Sequence, residues 1–413
     1  MHNWAGNHRF QATQVHRPTS VDELCGLLKA GDNLRAIGSR HSFTDVNDAN
    51  AIIDGSELPE VFAVDHDAMT VTVSSAMTYT RCAALLSPHR LALHNLASLP
   101  HITVAGATAT ATHGSGSGNG NLATAVRAIE IATSTGELIS LARGDDDFDG
   151  AVVSLGALGV ATLLTVAVQP SFDLAQTVYE GLPWSTLTDS FDDVFAAGYS
   201  VSAFTRYAND SVETIWVKQD SADAACDDFF GASPAQVAHH PIPGHDGAGC
   251  TRQFGVAGPW HERLPHFEAD AIPSIGAEIQ SEFFVSIEHA ADAIEALREA
   301  YGDLDDAMYV SEIRTVAADD LWMSPQCGQS TVAFHFTWKP DQAVAERAAA
   351  TVAAALAPFA PRPHWGKVFP WSMLTAETYE RAGDFIALAE RLDPRGAFRN
   401  EWFERLVSAI AAG

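Results

Sequence analysis

Two apolar stretches of this 413-residue chain carry charged side chains. In Met308–Val316, Glu312 and Arg314 stand two residues apart and so share one face of a pleat. Thr331–Trp338 repeats the arrangement with His335 and Thr337, leaving Phe334 and Phe336 on the opposite face. Charge inside an apolar strand is costly unless it is paired or turned toward a cavity. Read alone, Glu312 and Arg314 are either a structural ion pair or two members of a site. Lys367, after His364-Trp-Gly, could bring a further polar group over the same sheet face. Another kind of chemistry is suggested by Gly38-Ser-Arg-His41-Ser-Phe43, which follows the apolar run Leu34–Ile37. A glycine leaving a strand lets backbone approach a ligand closely, and the polar residues after it can aim N–H groups at a pyrophosphate.

The segment 103–122 reads TVAGATATATHGSGSGNGNL, almost wholly Gly, Ala, Ser, Thr and Asn. So few bulky side chains suit backbone that passes within contact distance of something large, and a cofactor is the expected neighbour. Its glycines have the wrong spacing for a Rossmann fingerprint, and no GK[ST] follows for a P-loop. A dinucleotide here requires another fold. Elsewhere, His239-His240, His245 and Cys250 lie in a Pro/Gly-rich stretch and read as a loop, not a metal centre. Asp145-Asp146-Asp147 lacks calcium-loop spacing and reads as a turn, and no GxSxG nucleophile elbow occurs.

Several elements must position these groups. Ser20-Val-Asp-Glu23 predicts a capping box opening an early helix. Strands are expected over 33–37, 51–53 and 69–73, and helices over 288–301, 341–357, 376–392 and 401–411. The charge-free run 151–168 contains Gly156 and Gly159, has a β-branched second half and lacks a basic flank, so it reads as a buried turn entering a core strand. Strands first, then mixed units, then helices indicate an α+β protein.

Composition narrows the function. Lys+Arg total 24 and Asp+Glu 52, a formal charge of −28, which opposes binding to nucleic acid or anionic lipid. Apolar residues make up 47% and charged residues 18%, enough apolar material for large cores. The N-terminus shows no signal-peptide pattern, and five scattered cysteines form no CxxC pair, so a cytoplasmic protein is expected.

Several of these motifs occur together in one known family. Gly38–Phe43, Ala97-Ser98-Leu-Pro-His101-Ile-Thr-Val-Ala-Gly106 and Thr112-His113-Gly-Ser-Gly116 resemble the FAD domain of the vanillyl-alcohol-oxidase superfamily. With Ser154–Val160, Gln253–Arg263, Glu312-Ile-Arg314, His335-Phe-Thr337 and His364–Lys367, the order along the chain is similar to the bacterial alditol (xylitol) oxidases. The resemblance implies a two-domain α+β flavoprotein. An FAD-binding domain would cover 1–171, and a substrate domain with a mixed or antiparallel sheet 172–371. Residues 372–413 would return to the FAD domain.

It further implies FAD bonded covalently through His41. The cofactor would be held by residues 36–42 (Ala36, Ile37, Gly38, Ser39, Arg40, His41 and Ser42), by Ser98, Thr103, Gly106, Thr110, Ala111, Thr112, His113 and Val160, and by His364 at the flavin ring. Arg40 and Ala111 stand where glycine occurs in the family pattern. Glu312, Arg314, His335, Thr337 and Ser98 would bind a polyol, with Arg314 and Lys367 stabilising a developing alkoxide and Glu312 orienting Arg314. The implied reaction takes a terminal alcohol to the aldose and O2 to hydrogen peroxide, in a monomer with neither nucleic-acid nor membrane partners. The base is open between Arg314 and Lys367. The rival readings are a sugar-lactone oxidase or dehydrogenase of the same superfamily and a non-catalytic polyol-binding protein.

Overall fold

The computed structural model describes residues 1–223, 226–269 and 278–411. The first part holds two larger sheets besides the antiparallel pair Leu91–Ala92 with Gln169–Pro170. Gln14–His16, Ala51–Asp54 and Leu34–Ile37 form a parallel three-stranded sheet. Phe62–Asp65, Thr70–Ser74, Val160–Ala167, Val126–Ala132 and Leu138–Ala142 pair antiparallel in that order. The 151–168 run behaves as expected: left-handed Gly156 and Gly159 precede Val160–Ala167, whose side chains alternate between buried and half-buried.

The second part is an antiparallel sheet whose central order is Asp173–Pro183, Ser211–Asp220, Ser200–Thr205, Met308–Val316, Thr331–Trp338 and Ile279–Ser286. Helices Ala290–Ala300 and Gln342–Leu356 cover one face. Phe283, Ile313, Phe334 and Phe336 are fully buried in the core there. The alternate residues face away from the helices, and there the strands place Glu282, His335 and Glu312 in one row. Gln280, Thr337 and Val310 form the next row, and Phe284, Ala333 and Arg314 the row on the other side. A period of two along each strand and direct pairing between strands thus gather side chains from positions 280 to 337 into one patch.

Local chemistry explains where the elements differ from expectation. Ser20 caps helix Val21–Ala30 by accepting from the Glu23 N–H, but the Glu23 carboxylate turns to the Thr19 N–H and hydroxyl (2.8 and 2.9 Å), so only half of the capping box forms. The helix expected over 376–392 begins at Ala382. Before it, Thr378 Oγ accepts from the Thr375 N–H, a side-chain bond that competes with helix.

The C-terminal segment closes on the N-terminal part. Leu34 donates its N–H to the Ala397 carbonyl (2.7 Å), and fully buried Arg35 donates to Leu155 O and Asn400 Oδ1, both at 2.7 Å. Burial pushes the Arg35 guanidinium down to about 9, with Asp393 and Asp45 opposing. Asn400 also donates to the Val46 and Asp48 carbonyls (3.1 and 2.9 Å). Asn400→Ala removes one of the two recorded acceptors of a buried charge and leaves two buried carbonyls unbonded. Urea unfolding is expected to show a loss of about 3 kcal/mol with an unchanged m-value.

Candidate active site

The patch of charged residues forms one side of a cleft. Gly38–Phe43, Ser98 and part of Thr103–His113 form the other side, and His364 and Lys367 complete it. The wall carrying His41 is built from small residues. Helix Val104–Ala109 is capped by Thr103 and presents Gly106 and Ala107 to the cleft. A Cβ at Gly38 would stand 2.0 Å from Thr103 Oγ1, so only glycine lets this loop lie against the helix.

Only the first half of the small-residue segment lines the cleft, which corrects the expectation for 103–122. Gly114 and Gly116 lack side chains because protein backbone crowds them. A Cβ at Gly114 would lie 2.5 Å from the Leu96 carbonyl, and one at Gly116 2.4 Å from that of Tyr199. Gly116 also donates its N–H to the Thr315 carbonyl (3.0 Å), fastening the segment to the Arg314 strand. Four further positions lie off the cleft wall. Val160 packs with Leu24, Leu28 and Leu34 in a separate small core, and Ala36 packs against that core. Ile37 is likewise absent from the wall, and Ala111 is fully buried at φ 52°. Arg40 (φ 61°) does line the cleft, so both departures from the glycine pattern occupy the left-handed region that glycine adopts most easily.

His41 stacks on Trp4 at 5.0 Å, and its Nε2 lies 3.0 Å from His101 Nε2. Its Nδ1 is buried without a hydrogen bond of ordinary geometry. Burial first, then His101, pushes the imidazole down to about 3, against a weak opposing pull from the Ser39 backbone. A neutral ring with an uncommitted nitrogen, beside a wall of small residues, fits covalent attachment of a large flat cofactor.

The opposite wall is an ion-pair cluster centred on a residue the sequence analysis did not single out. Glu282 has no exposed side-chain surface; it binds Arg314 Nη2 at 2.6 Å and Lys367 Nζ at 2.7 Å, and His113 Nε2 lies 3.1 Å away. Burial opposes its ionisation, but Lys367, His113 and Arg314 together hold the carboxyl well below its usual range. Glu312 is also held low against burial, by Arg314 and then His266. Arg314 reaches Glu312 more loosely, at 3.5 Å, so Glu282 is its main partner and the expected Glu312–Arg314 contact is secondary. Arg314 is raised because the two carboxylates outweigh burial, whereas burial lowers Lys367 despite Glu282. His335 Nδ1 lies 3.9 Å from Glu312 Oε2, and Ser98 and Thr337 line the same space.

The comparisons with known proteins agree with this geometry. The model of an FAD binding domain matches residues 12–142, and that of D-arabinono-1,4-lactone oxidase matches residues 277–406. An alditol oxidase from Streptomyces is 43% identical over 98% of both chains. The chain belongs to the alditol oxidase family. An L-gulono-1,4-lactone dehydrogenase from Mycobacterium tuberculosis is 29% identical over 98% of both chains. A crystal structure of cholesterol oxidase from B. sterolicum shares the fold, with a TM-score of 0.78 at 15% identity over 98% of this chain and 96% of that one.

Of the residues singled out by the sequence analysis, Glu312, Arg314, His335, Thr337, Lys367, His364 and Ser98 line one cleft. Glu282 was missed, although Ile279-Gln-Ser-Glu282-Phe-Phe shows the same signal as Glu312, a lone carboxylate among apolar residues. His266 and Trp4 reach the cleft from loops, where no pattern marks them. The matched motif Gln253–Arg263 lies off the cleft. Its Gln253 ties down His239, and its Arg263 donates to the Val256, Ala257 and Glu262 carbonyls. Among the described residues no cluster suits a metal ion, and His239 pairs instead with Glu180.

Glu282→Gln keeps the shape and removes the charge that Arg314 and Lys367 share as their nearest partner. Urea unfolding is expected to show a loss of about 3 kcal/mol, together with a large fall in turnover. Burial also keeps His266, His335 and His364 neutral, His266 at about 4. Their folded values lie below the ordinary value of about 6.5, so the unfolded chain takes up more protons and stability falls as pH drops below about 6.5. Melting curves at about pH 7.5 and about pH 5.5 are expected to show a lower midpoint at the acid value.

Proposed function

We propose that the protein is an FAD-dependent alditol oxidase that takes the terminal alcohol of a polyol such as xylitol, sorbitol or glycerol to the aldose. The observation carrying this reading is the cleft itself: a small-residue wall with a neutral His41 faces a wall where Glu282 and Glu312 meet Arg314 and Lys367. In this reading residues 1–171 with 372–413 bind FAD, and 172–371 supply the polyol site. His41 carries the covalent link, and Gly38–Ser42, Thr103, Gly106, Thr110, Thr112 and His113 hold the cofactor, with His364 at its ring. FAD held there would supply a two-electron acceptor for the alcohol carbon, and O2 taking up those two electrons with two protons would yield hydrogen peroxide.

The protein's own groups handle binding and the proton. Glu312 and Thr337 accept and donate hydrogen bonds to polyol hydroxyls, with Ser98 and His335 further along the chain. Arg314 stays cationic, because two carboxylates raise its pKa, and stabilises the developing alkoxide. Lys367, lowered by burial, gives up its own proton more readily than Arg314 and as the neutral amine is the better proton acceptor of the two. The five free cysteines support a cytoplasmic location, and among the described residues no helix is long and apolar enough to cross a membrane. A monomer is expected, and sedimentation tests it.

The lactone-oxidase match over 277–406 and the dehydrogenase relative favour one competing reading, a sugar-lactone enzyme. One experiment separates the two. Xylitol added without air is expected to bleach the flavin, and with air to give one peroxide per alcohol oxidised. Bleaching by aldonolactones alone, with dye replacing O2, would establish the competing reading. A denaturing gel viewed under ultraviolet light is expected to show a fluorescent band for wild type and none for His41→Ala.

A further inference from the structure

Behind the cleft wall, a second line of buried groups reaches Glu312. His266 Nε2 lies 2.8 Å from Glu312 Oε1, and the other ring nitrogen, Nδ1, lies 3.3 Å from Lys218 Nζ. Lys218 is 1% exposed and forms no part of the cleft wall. Its other two partners are backbone carbonyls, Leu264 O and Pro265 O. Two carbonyls and a ring nitrogen match the three N–H groups of an ammonium.

This arrangement determines where the imidazole proton sits. An ammonium has no lone pair, so the Nδ1 facing it must accept, and Nε2 must carry the proton. That proton is then donated to Glu312. Phe204 and Trp216 stand edge-on to the ring, each with centroids 5.4 Å away, and oppose its turning over. Arg314 Nε approaches the same Glu312 oxygen, Oε1, at 3.5 Å. Oε2 is therefore the less engaged oxygen, with His335 Nδ1 at 3.9 Å. Charged and titratable groups act on Lys218 from several elements. Burial pushes the ammonium down to about 7, Glu312 and Cys250 pull it up, and Arg314 pushes it down.

We propose that Lys218 is a positioning residue of the active site: through His266 it sets the imidazole tautomer that holds Glu312 Oε1, keeping Oε2 free to accept a hydrogen bond from the substrate hydroxyl. This inference rests on the polyol reading of the cleft. Lys218 touches neither substrate nor cofactor space, and its hydrogen-bonded route to the cleft wall runs through His266.

The test uses holoenzyme at about pH 6, where the ammonium is present, and follows the two half-reactions separately by rapid mixing. Lys218→Met is expected to slow flavin reduction by xylitol about tenfold or more, with flavin content and reoxidation by O2 unchanged. In His266→Gln the amide can donate to Glu312 without help from Lys218. Adding Lys218→Met to that variant is therefore expected to change reduction by less than about twofold. Wild-type reduction in Lys218→Met, or an equal slowing in both backgrounds, overturns the inference. If Lys218→Met does not fold, the ring-nitrogen NMR signals of 15N-histidine-labelled wild type decide instead: protonated Nε2 at His266 supports the inference, and protonated Nδ1 overturns it. Should no alditol reduce the wild-type flavin, the polyol reading fails by itself, while the His266 tautomer still reports on Lys218.

Discussion

Glu282, a carboxylate without exposed surface, binds Arg314 and Lys367 and faces His113. These four groups come from four places in the chain: the strand Ile279–Ser286, the strand Met308–Val316, the loop after His364, and the middle of the small-residue segment. An isolated ionised carboxylate at such depth would be expelled or protonated. Here its cations compensate it, and they in turn cannot be buried without it. The cleft therefore keeps its shape only while the sheet, the Lys367 loop and the His113 segment are all in place. Stability and site geometry are one constraint.

That dependence explains why so much of the surrounding structure consists of close backbone contacts. Gly114 and Gly116 let the segment carrying His113 lie against Leu96, Tyr199 and the Arg314 strand. Arg35 and Asn400 fasten the C-terminal segment to the strand Leu34–Ile37, which leads directly into Gly38 and His41. Each fastening places one wall of the cleft relative to the other. A chemistry that needs a hydride donor and acceptor about 3–3.5 Å apart tolerates little slack in either.

The two walls are also electrically distinct. The wall carrying His41 keeps that imidazole neutral by burial, with His101 beside it. The facing wall sets Glu282 and Glu312 against Arg314 and Lys367, which hold both carboxyls low, and Glu278 lines the same cleft. Arg314 is held charged whereas burial lowers Lys367, so the two cations of one cluster differ in how readily they release a proton.

By itself the sequence determined the charged strands and their facing, because a period of two puts Glu312 with Arg314, and His335 with Thr337, on one side whatever the neighbours. The glycine before His41 and the run of small residues were legible for the same reason, since a missing Cβ is a local property. Only the tertiary structure decided which strands lie side by side. Pairing of Ile279–Ser286 with Thr331–Trp338 brought Glu282 beside His335 and made it, not Glu312, the main partner of Arg314. It also showed that Gly114 and Gly116 serve backbone packing and that Val160 belongs to a separate core. Those contacts join residues far apart in the chain, and local pattern holds no information about which distant backbone fills the space beside a glycine.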